Sequence, residues 1–267
     1  MGWPDDPHSL LVLNDVIPQF HTSLMSLRAI LIDLDNTLVL YDEPAFHQQY
    51  FESLSRSFAD WWDPRTFVHR LLRATFGLRK NGGTRSNAER FLDDFLGETD
   101  YGRESAWDRF DRFYKVDYPK LETRAEVPPG LTETLDTLRA RGYHLALATN
   151  PVYPLDAIAV RLGWSGVSLD RFDAITDIES TSSVKPDEGY FTEVARQLGA
   201  SPDDCLMVGN DAYHDLAASR VGMKTYLTTE AMVVDYSAHP DNYEDVFHPD
   251  GSGTLAEVIP FIDKLST

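Results

Sequence analysis

The sequence predicts an α/β fold: a Rossmann-like parallel sheet core with a helical domain inserted after its first strand. Three observations carry this. Short aliphatic or β-branched runs recur along the chain; helical patterns closing on glycine separate them; and one long block, 41–124, is helical in pattern throughout. Strands alternating with helices build βαβ units, whose strands lie parallel. At 267 residues, 42% of them hydrophobic, the chain can bury a sizeable core and has ordinary globular composition.

The first run, "RAILIDL" (28–34), reads as a fully buried strand. It leads into two carboxylates, Asp33 and Asp35, which a strand would turn to the same face. The strand is expected to stop near them, so that both stand at the carboxyl edge of the sheet, where such sheets gather ligands.

The block 41–124 follows, with much of the aromatic content. Phe110, Phe113 and Tyr114 sit at helical spacing and read as core of that domain. The division is therefore 1–40 with 125–267 for the α/β core, and 41–124 for the helical domain. Within the latter, "FGLRKNGGTRSN" (76–87) is a basic loop carrying Arg79, Lys80 and Arg85, which could reach over the sheet edge to an anionic ligand. Pro128 and Pro129 mark the exit.

From there "GLTETLDTLRARG" (130–142) places Leu131, Leu135 and Leu138 on one helical face and closes on Gly142. A strand is expected at 143–149, ending in Thr149-Asn150, and a weaker one at 172–176. In "SSVKPDE", Lys185 precedes a helix over 187–200. Strand 204–209 runs into "VGNDAYHD", whose Asp211 and Asp215 would share a face if 211–222 is helical. A strand at 223–228 and a terminal helix at 253–265, interrupted at Pro260, complete the reading.

Net charge is −19, from 24 Lys and Arg against 43 Asp and Glu. That opposes a bulk electrostatic grip on nucleic acid or an anionic membrane, but not a small anionic ligand held by local cations. The single cysteine, Cys205, has no partner for an internal disulfide and reads as a small core residue. The opening "MGWPDDPHSLLVLNDVIPQF" lacks both a basic region and a sustained apolar run, so the cytoplasm is expected.

Two carboxylates held close together need a cation or a shared proton. One beside a hard divalent ion can act as nucleophile, and its neighbour can donate to a leaving oxygen and later take a proton from water. The strand ends bring Asp33, Asp35, Asp211 and Asp215 to one edge, with the Thr149 hydroxyl, the Asn150 amide and the Lys185 ammonium. This reads as a magnesium site with a phosphoryl cradle.

Taken together, "DLDNTL" (33–38), Thr149, Lys185-Pro186 and "GNDAYHD" (209–215) resemble the four ordered motifs of the haloacid dehalogenase superfamily. The resemblance covers about 28–40 and 125–230, and the helical block resembles the family's inserted cap. It implies that Asp33 is the nucleophile and forms an aspartyl-phosphate, that Asp35 is general acid and then base, and that Thr149, Asn150 and Lys185 bind the phosphoryl group. It also implies Mg²⁺ on Asp33, the main-chain carbonyl of Asp35, and Asp211, with Asp215 binding or orienting that shell. Backbone N–H groups near Leu34 and Asn36 would complete the cradle. Two departures are visible: Glu188 in "KPDEGYF" replaces a second proline common in relatives, and "GND" has an asparagine where many carry an acid.

The implied activity is a Mg²⁺-dependent phosphomonoester hydrolase acting on a small phosphorylated metabolite. A phosphomutase using the same aspartyl-phosphate, or a non-catalytic binding or regulatory protein, are the alternatives; the intact acids and lysine oppose the last. Halide displacement is disfavoured by Asp35, since halide leaves without a proton.

Overall fold

The computed structural model describes residues 27–121, 123–234 and 247–265. The opening stretch read above for a leader pattern lies outside them.

Strand β1 (Ala29–Ile32) is buried along its whole length, and its side chains alternate between two apolar layers. Ile30 and Ile32 face a layer that includes Leu135, Ile158 and Val258, while Ala29 and Leu31 face one that includes Phe191, Val194 and Ala217. Full burial of such an isoleucine contributes roughly 1.5–3 kcal/mol.

After β1 come α1 (Glu43–Arg56), α2 (Pro64–Gly77), α3 (Asn87–Leu96) and α4 (Arg103–Arg112), followed by a π-helical and a 3₁₀ turn through Lys120. Their starts are chemically marked: Asp42 and Asp63 accept backbone N–H groups at the entries to α1 and α2, and Ser86 forms a capping box with Glu89 at α3. The interior of this block is aromatic, built around Phe58, which packs against Phe67, Phe95 and Phe110. The two chain crossings into and out of it pair as an antiparallel bridge, Leu40 with Glu126.

The chain then adds α5 (Leu131–Ala140), β2 (His144–Leu147), α6 (Leu155–Trp164), β3 (Ala174–Ile175), α7 (Glu188–Gln197), β4 (Cys205–Gly209), β5 (Lys224–Thr228), β6 (Gly251–Gly253) and α8 (Val258–Leu265). The sheet is parallel, in the order β3-β2-β1-β4-β5-β6. Strand order therefore reverses at β1, the position where open α/β sheets form their ligand crevice.

Two expectations are corrected. Residues 211–222 form a turn and a 3₁₀ helix (Leu216–Val221), not an α-helix. Pro260 does not interrupt the terminal helix; it lies in the first turn of α8, where its missing N–H has no intrahelical partner to lose. The strand β6 and the helix α6 were not anticipated. Cys205 is buried and free, as expected.

Candidate active site

Asp33 follows β1 directly, and its N–H continues the ladder by donating to the Val208 carbonyl at 2.9 Å. The next residues turn tightly: Leu38 N–H donates to the Leu34 carbonyl, and Asn36 adopts a left-handed φ of 57°. Asparagine tolerates that conformation better than most residues. Its side chain braces the turn, accepting from Tyr41 N–H at 3.0 Å and donating to Glu43 at 2.8 Å. The Asn36 N–H itself donates to the Val39 carbonyl at 2.8 Å. Of the two amides expected in the phosphoryl cradle, this one is engaged within its own turn.

Four strand ends meet here. From the loop before α7, Lys185 Nζ donates to Asp33 Oδ1 at 2.7 Å and to Asp215 Oδ1 at 2.6 Å. Lys185 is 2% exposed and Asp215 1%. Burial disfavours the lysine's charge, but Asp215 and Asp33 more than offset it and hold its pKa above the ordinary value. Burial, with Asp215 and Asp35 nearby, pushes Asp33 up in spite of Lys185. Burial raises Asp215 in the same way, again opposed by Lys185. The cluster is thus short of positive charge.

Asp35 is held differently. Its Oδ1 accepts from Tyr41 hydroxyl and from Arg161 Nε, both at 2.8 Å, and Oδ2 takes no hydrogen bond from the described residues. Arg161 is 1% exposed; its Nη1 donates to the Tyr118 hydroxyl at 2.7 Å, and its guanidinium lies 4.2 Å from the Tyr153 ring centre. Sequence reasoning did not single out Arg161. The signal was present, since Arg161 shares a helical face with the buried Ala157 and Ile158, where a charge requires a partner. Glu43 and Tyr41 were also missed, because both belong to the helical block and reach Asp35 only through the turn at Asn36.

Thr149 is buried at the end of β2, with its carbonyl accepting from Thr176 and Tyr190. Asn150 Oδ1 accepts from Lys185 N–H at 3.2 Å, tying the second and third loops together. Asp211 differs from expectation. Its carboxylate accepts from Tyr213 N–H and His214 N–H, and Oδ2 lies 3.0 Å from His214 Nδ1. Asp215 Oδ2 accepts from Asp211 N–H at 3.0 Å. The two acids are therefore coupled through backbone and do not converge on one point, as helical spacing would have required. From the helical block, Arg79 reaches His214, with 3.5 Å between Nη2 and Nε2. Arg85 instead pairs with Asp93 within that block.

All the expected metal donors are oxygens, which suits a hard divalent cation, and the charge deficit around Asp33 is one such an ion would relieve. Among the described residues, however, no three acidic, histidine or cysteine side chains already gather as a cage. The fit is one of donor chemistry and charge.

A family model described as haloacid dehalogenase-like hydrolase matches residues 27–222. The pyrophosphatase PpaX of Halalkalibacterium halodurans is 29% identical over 122 residues, 45% of this chain and 52% of that protein; the chain thus aligns with about half of that relative's length. The glyceraldehyde 3-phosphate phosphatase of Methanothermobacter thermautotrophicus is 26% identical over 239 residues, 87% of this chain and 100% of that protein. Among solved structures, a 2-haloacid dehalogenase from Pseudomonas syringae pv. Tomato DC3000 superimposes with a TM-score of 0.56 at 20% identity, covering 89% of this chain and 99% of that one. At that identity the likeness is one of fold.

Proposed function

The chain belongs to the haloacid dehalogenase-like hydrolases, and from that premise we propose that it is a Mg²⁺-dependent phosphatase that hydrolyses a phosphomonoester through an aspartyl-phosphate on Asp33. The observation that carries this reading is Lys185, buried between Asp33 and Asp215 at the crevice where strand order reverses. A buried ammonium there orients the nucleophile and offsets charge on an incoming phosphoryl group. The full-length match to a glyceraldehyde 3-phosphate phosphatase supports the same reaction class.

In this reading an Asp33 carboxylate oxygen attacks phosphorus and the ester oxygen departs as the alcohol, taking its proton from Asp35. Water then attacks the aspartyl-phosphate, Asp35 accepts its proton, and inorganic phosphate leaves with Asp33 restored. Asp35 Oδ2 is the atom for this traffic, because Tyr41 and Arg161 both bond Oδ1. Thr149, Asn150 and Lys185 hold the phosphoryl oxygens. Asp33, the Asp35 carbonyl and Asp211 would hold Mg²⁺, which supplies charge neutralisation at the phosphoryl group; Asp215 orients Lys185 and the Asp211 backbone. The helices between Glu43 and Lys120 act as the cap in the division 1–40 and 125–267 against 41–124.

An acid at position 35 also separates this chemistry from halide displacement, so the fold shared with a dehalogenase does not bring that activity with it. No helix among the described residues is long and apolar enough to cross a membrane. With a single, buried cysteine, the cytoplasm is the compartment we assign in the same proposal.

The test is phosphate release from a generic aryl phosphate, with Mg²⁺, with excess chelator, and with the Asp33→Asn protein. Release that needs Mg²⁺ and disappears in the variant supports the reading. Release unchanged in the variant, or absent from the native protein, overturns it.

A further inference from the structure

Between the helical block and the sheet edge lies a cavity of about 510 Å³, lined by Asp35, Thr149 and Asn150 on the sheet side. That is the size of a site for a ring-bearing ligand. A second, smaller cavity of about 140 Å³ shares Thr75, Asn150 and Val152 with its lining and is also lined by Lys185, Arg79 and His214. The cations thus collect on the small side, around Lys185.

The large cavity has the opposite character. Its cap wall carries Tyr50, Phe91, Trp107, Phe110 and Tyr114, and among the described residues no lysine or arginine lines it. Several polar tips in the lining are already paired: the Tyr50 and Tyr114 hydroxyls of the cap with each other at 2.7 Å, and Tyr153 from the sheet side with His47 of the cap at 3.3 Å. Burial holds the pKa of His47 below its ordinary value, so it brings no positive charge at neutral pH. The charged groups that do line the cavity are carboxylates, among them Asp111, Asp156 and Glu179. Lys115 pairs with Asp111 at 2.6 Å and is not part of the lining. Burial raises the pKa of Glu179, and Asp177, Asp111 and Asp156 add to the effect; this crowding of like charge would repel a further anion.

We propose that this cavity seats the leaving group, and that the preferred substrate is a phosphate monoester of a bulky, aromatic or otherwise apolar alcohol carrying no second anionic group. The claim rests on the phosphatase reading and narrows it. A second phosphate would meet carboxylates and, among the described residues, no lysine or arginine in the lining, since Arg161 lies behind Asp35 and Tyr153 and is already bonded to Asp35; this argues against bisphosphates, pyrophosphate and the phosphomutase alternative. A small polyol would leave most of the aromatic wall uncovered.

The experiment compares kcat/KM for 2-phenylethyl phosphate, glucose 6-phosphate and fructose 1,6-bisphosphate, whose reacting oxygens are all primary alkyl, and adds pyrophosphate. The arylalkyl ester is expected to lead each of the others by at least about tenfold, through a lower KM. Glu179→Lys, an exposed position at the cavity lining, is expected to narrow its lead over the bisphosphate by about tenfold or more. Preference for a sugar phosphate, the bisphosphate or pyrophosphate overturns the proposal, as does an unchanged ratio in Glu179→Lys. If none of the four is hydrolysed while the aryl phosphate is, the proposal fails and the phosphatase reading stands; if the aryl phosphate is not hydrolysed either, the phosphatase reading fails, and calorimetric binding to the Asp33→Asn protein decides the cavity separately. Tighter binding of 2-phenylethyl phosphate than of fructose 1,6-bisphosphate sustains it; the reverse order, or no binding of either, overturns it.

Discussion

With its ammonium 2.7 Å from Asp33 and 2.6 Å from Asp215, Lys185 is the only positive side chain hydrogen-bonded to either carboxylate among the described residues. Replacing it by an isosteric apolar residue would strand two buried acids. Lys185→Met is expected to lower stability by roughly 3–5 kcal/mol at neutral pH, read from urea unfolding; a loss below about 1 kcal/mol would mean the acids simply take up protons. Glu43 gives a pH-dependent counterpart. Burial, then Asp35, push its pKa from 4.5 to about 7. The folded chain therefore holds this proton more tightly than the unfolded chain does. Its contribution is fully present below about 4.5 and is lost as pH rises to about 7, by no more than about 3 kcal/mol. Glu43→Gln keeps an acceptor for Asn36 but should remove this slope, and equal pH profiles for the two proteins would refute the assignment. None of this was legible from Glu43 alone, since nothing local marks it as half-buried within reach of the Asp35 charge.

Where elements meet, small residues decide what fits. A Cβ on Gly209, the last residue of β4, would overlap the Asp215 carboxylate. Gly209→Ala should thus displace Asp215 from Lys185, cutting activity at least about tenfold while leaving the helical content of the circular dichroism spectrum intact. Activity within twofold of native would show that Asp215 can be moved without consequence. The same logic explains β6, a Gly-Ser-Gly segment invisible to periodicity that exists because Tyr226, Leu227 and Thr228 offer it a parallel ladder. A Cβ at Gly251 would meet the Phe261 ring. Helix α6 was missed for another reason. Buried residues sit on one side of "LDAIAVRLGW", but Arg161 interrupts them, and only Asp35 and Tyr118 explain why a charge belongs there.

Across the whole molecule, the helical block and the sheet share an apolar cluster. Ala157, Ile178 and Val184 from the sheet side pack with Phe46, Leu71 and Phe91 in that cluster. The Tyr118–Arg161 bond adds a polar tie across the same junction. Calorimetry on the full chain should therefore show one cooperative transition, with calorimetric and van't Hoff enthalpies in agreement. Two resolved transitions would mean the junction is too weak to couple the parts.

By itself the sequence determined the parallel sheet, the helical block after β1, and the four loops that carry Asp33, Asp35, Thr149, Lys185, Asp211 and Asp215. Those features are encoded locally, in apolar runs, glycine stops and residues placed just past strand ends. Only the tertiary structure decided which partners these groups take: Lys185 shared by Asp33 and Asp215, Arg161 on Asp35, and the Asp211 carboxylate turned to its own loop. The physical reason is that a charge pair is set by burial and distance between segments far apart in the chain, as with Asp35 and Arg161, 126 residues apart.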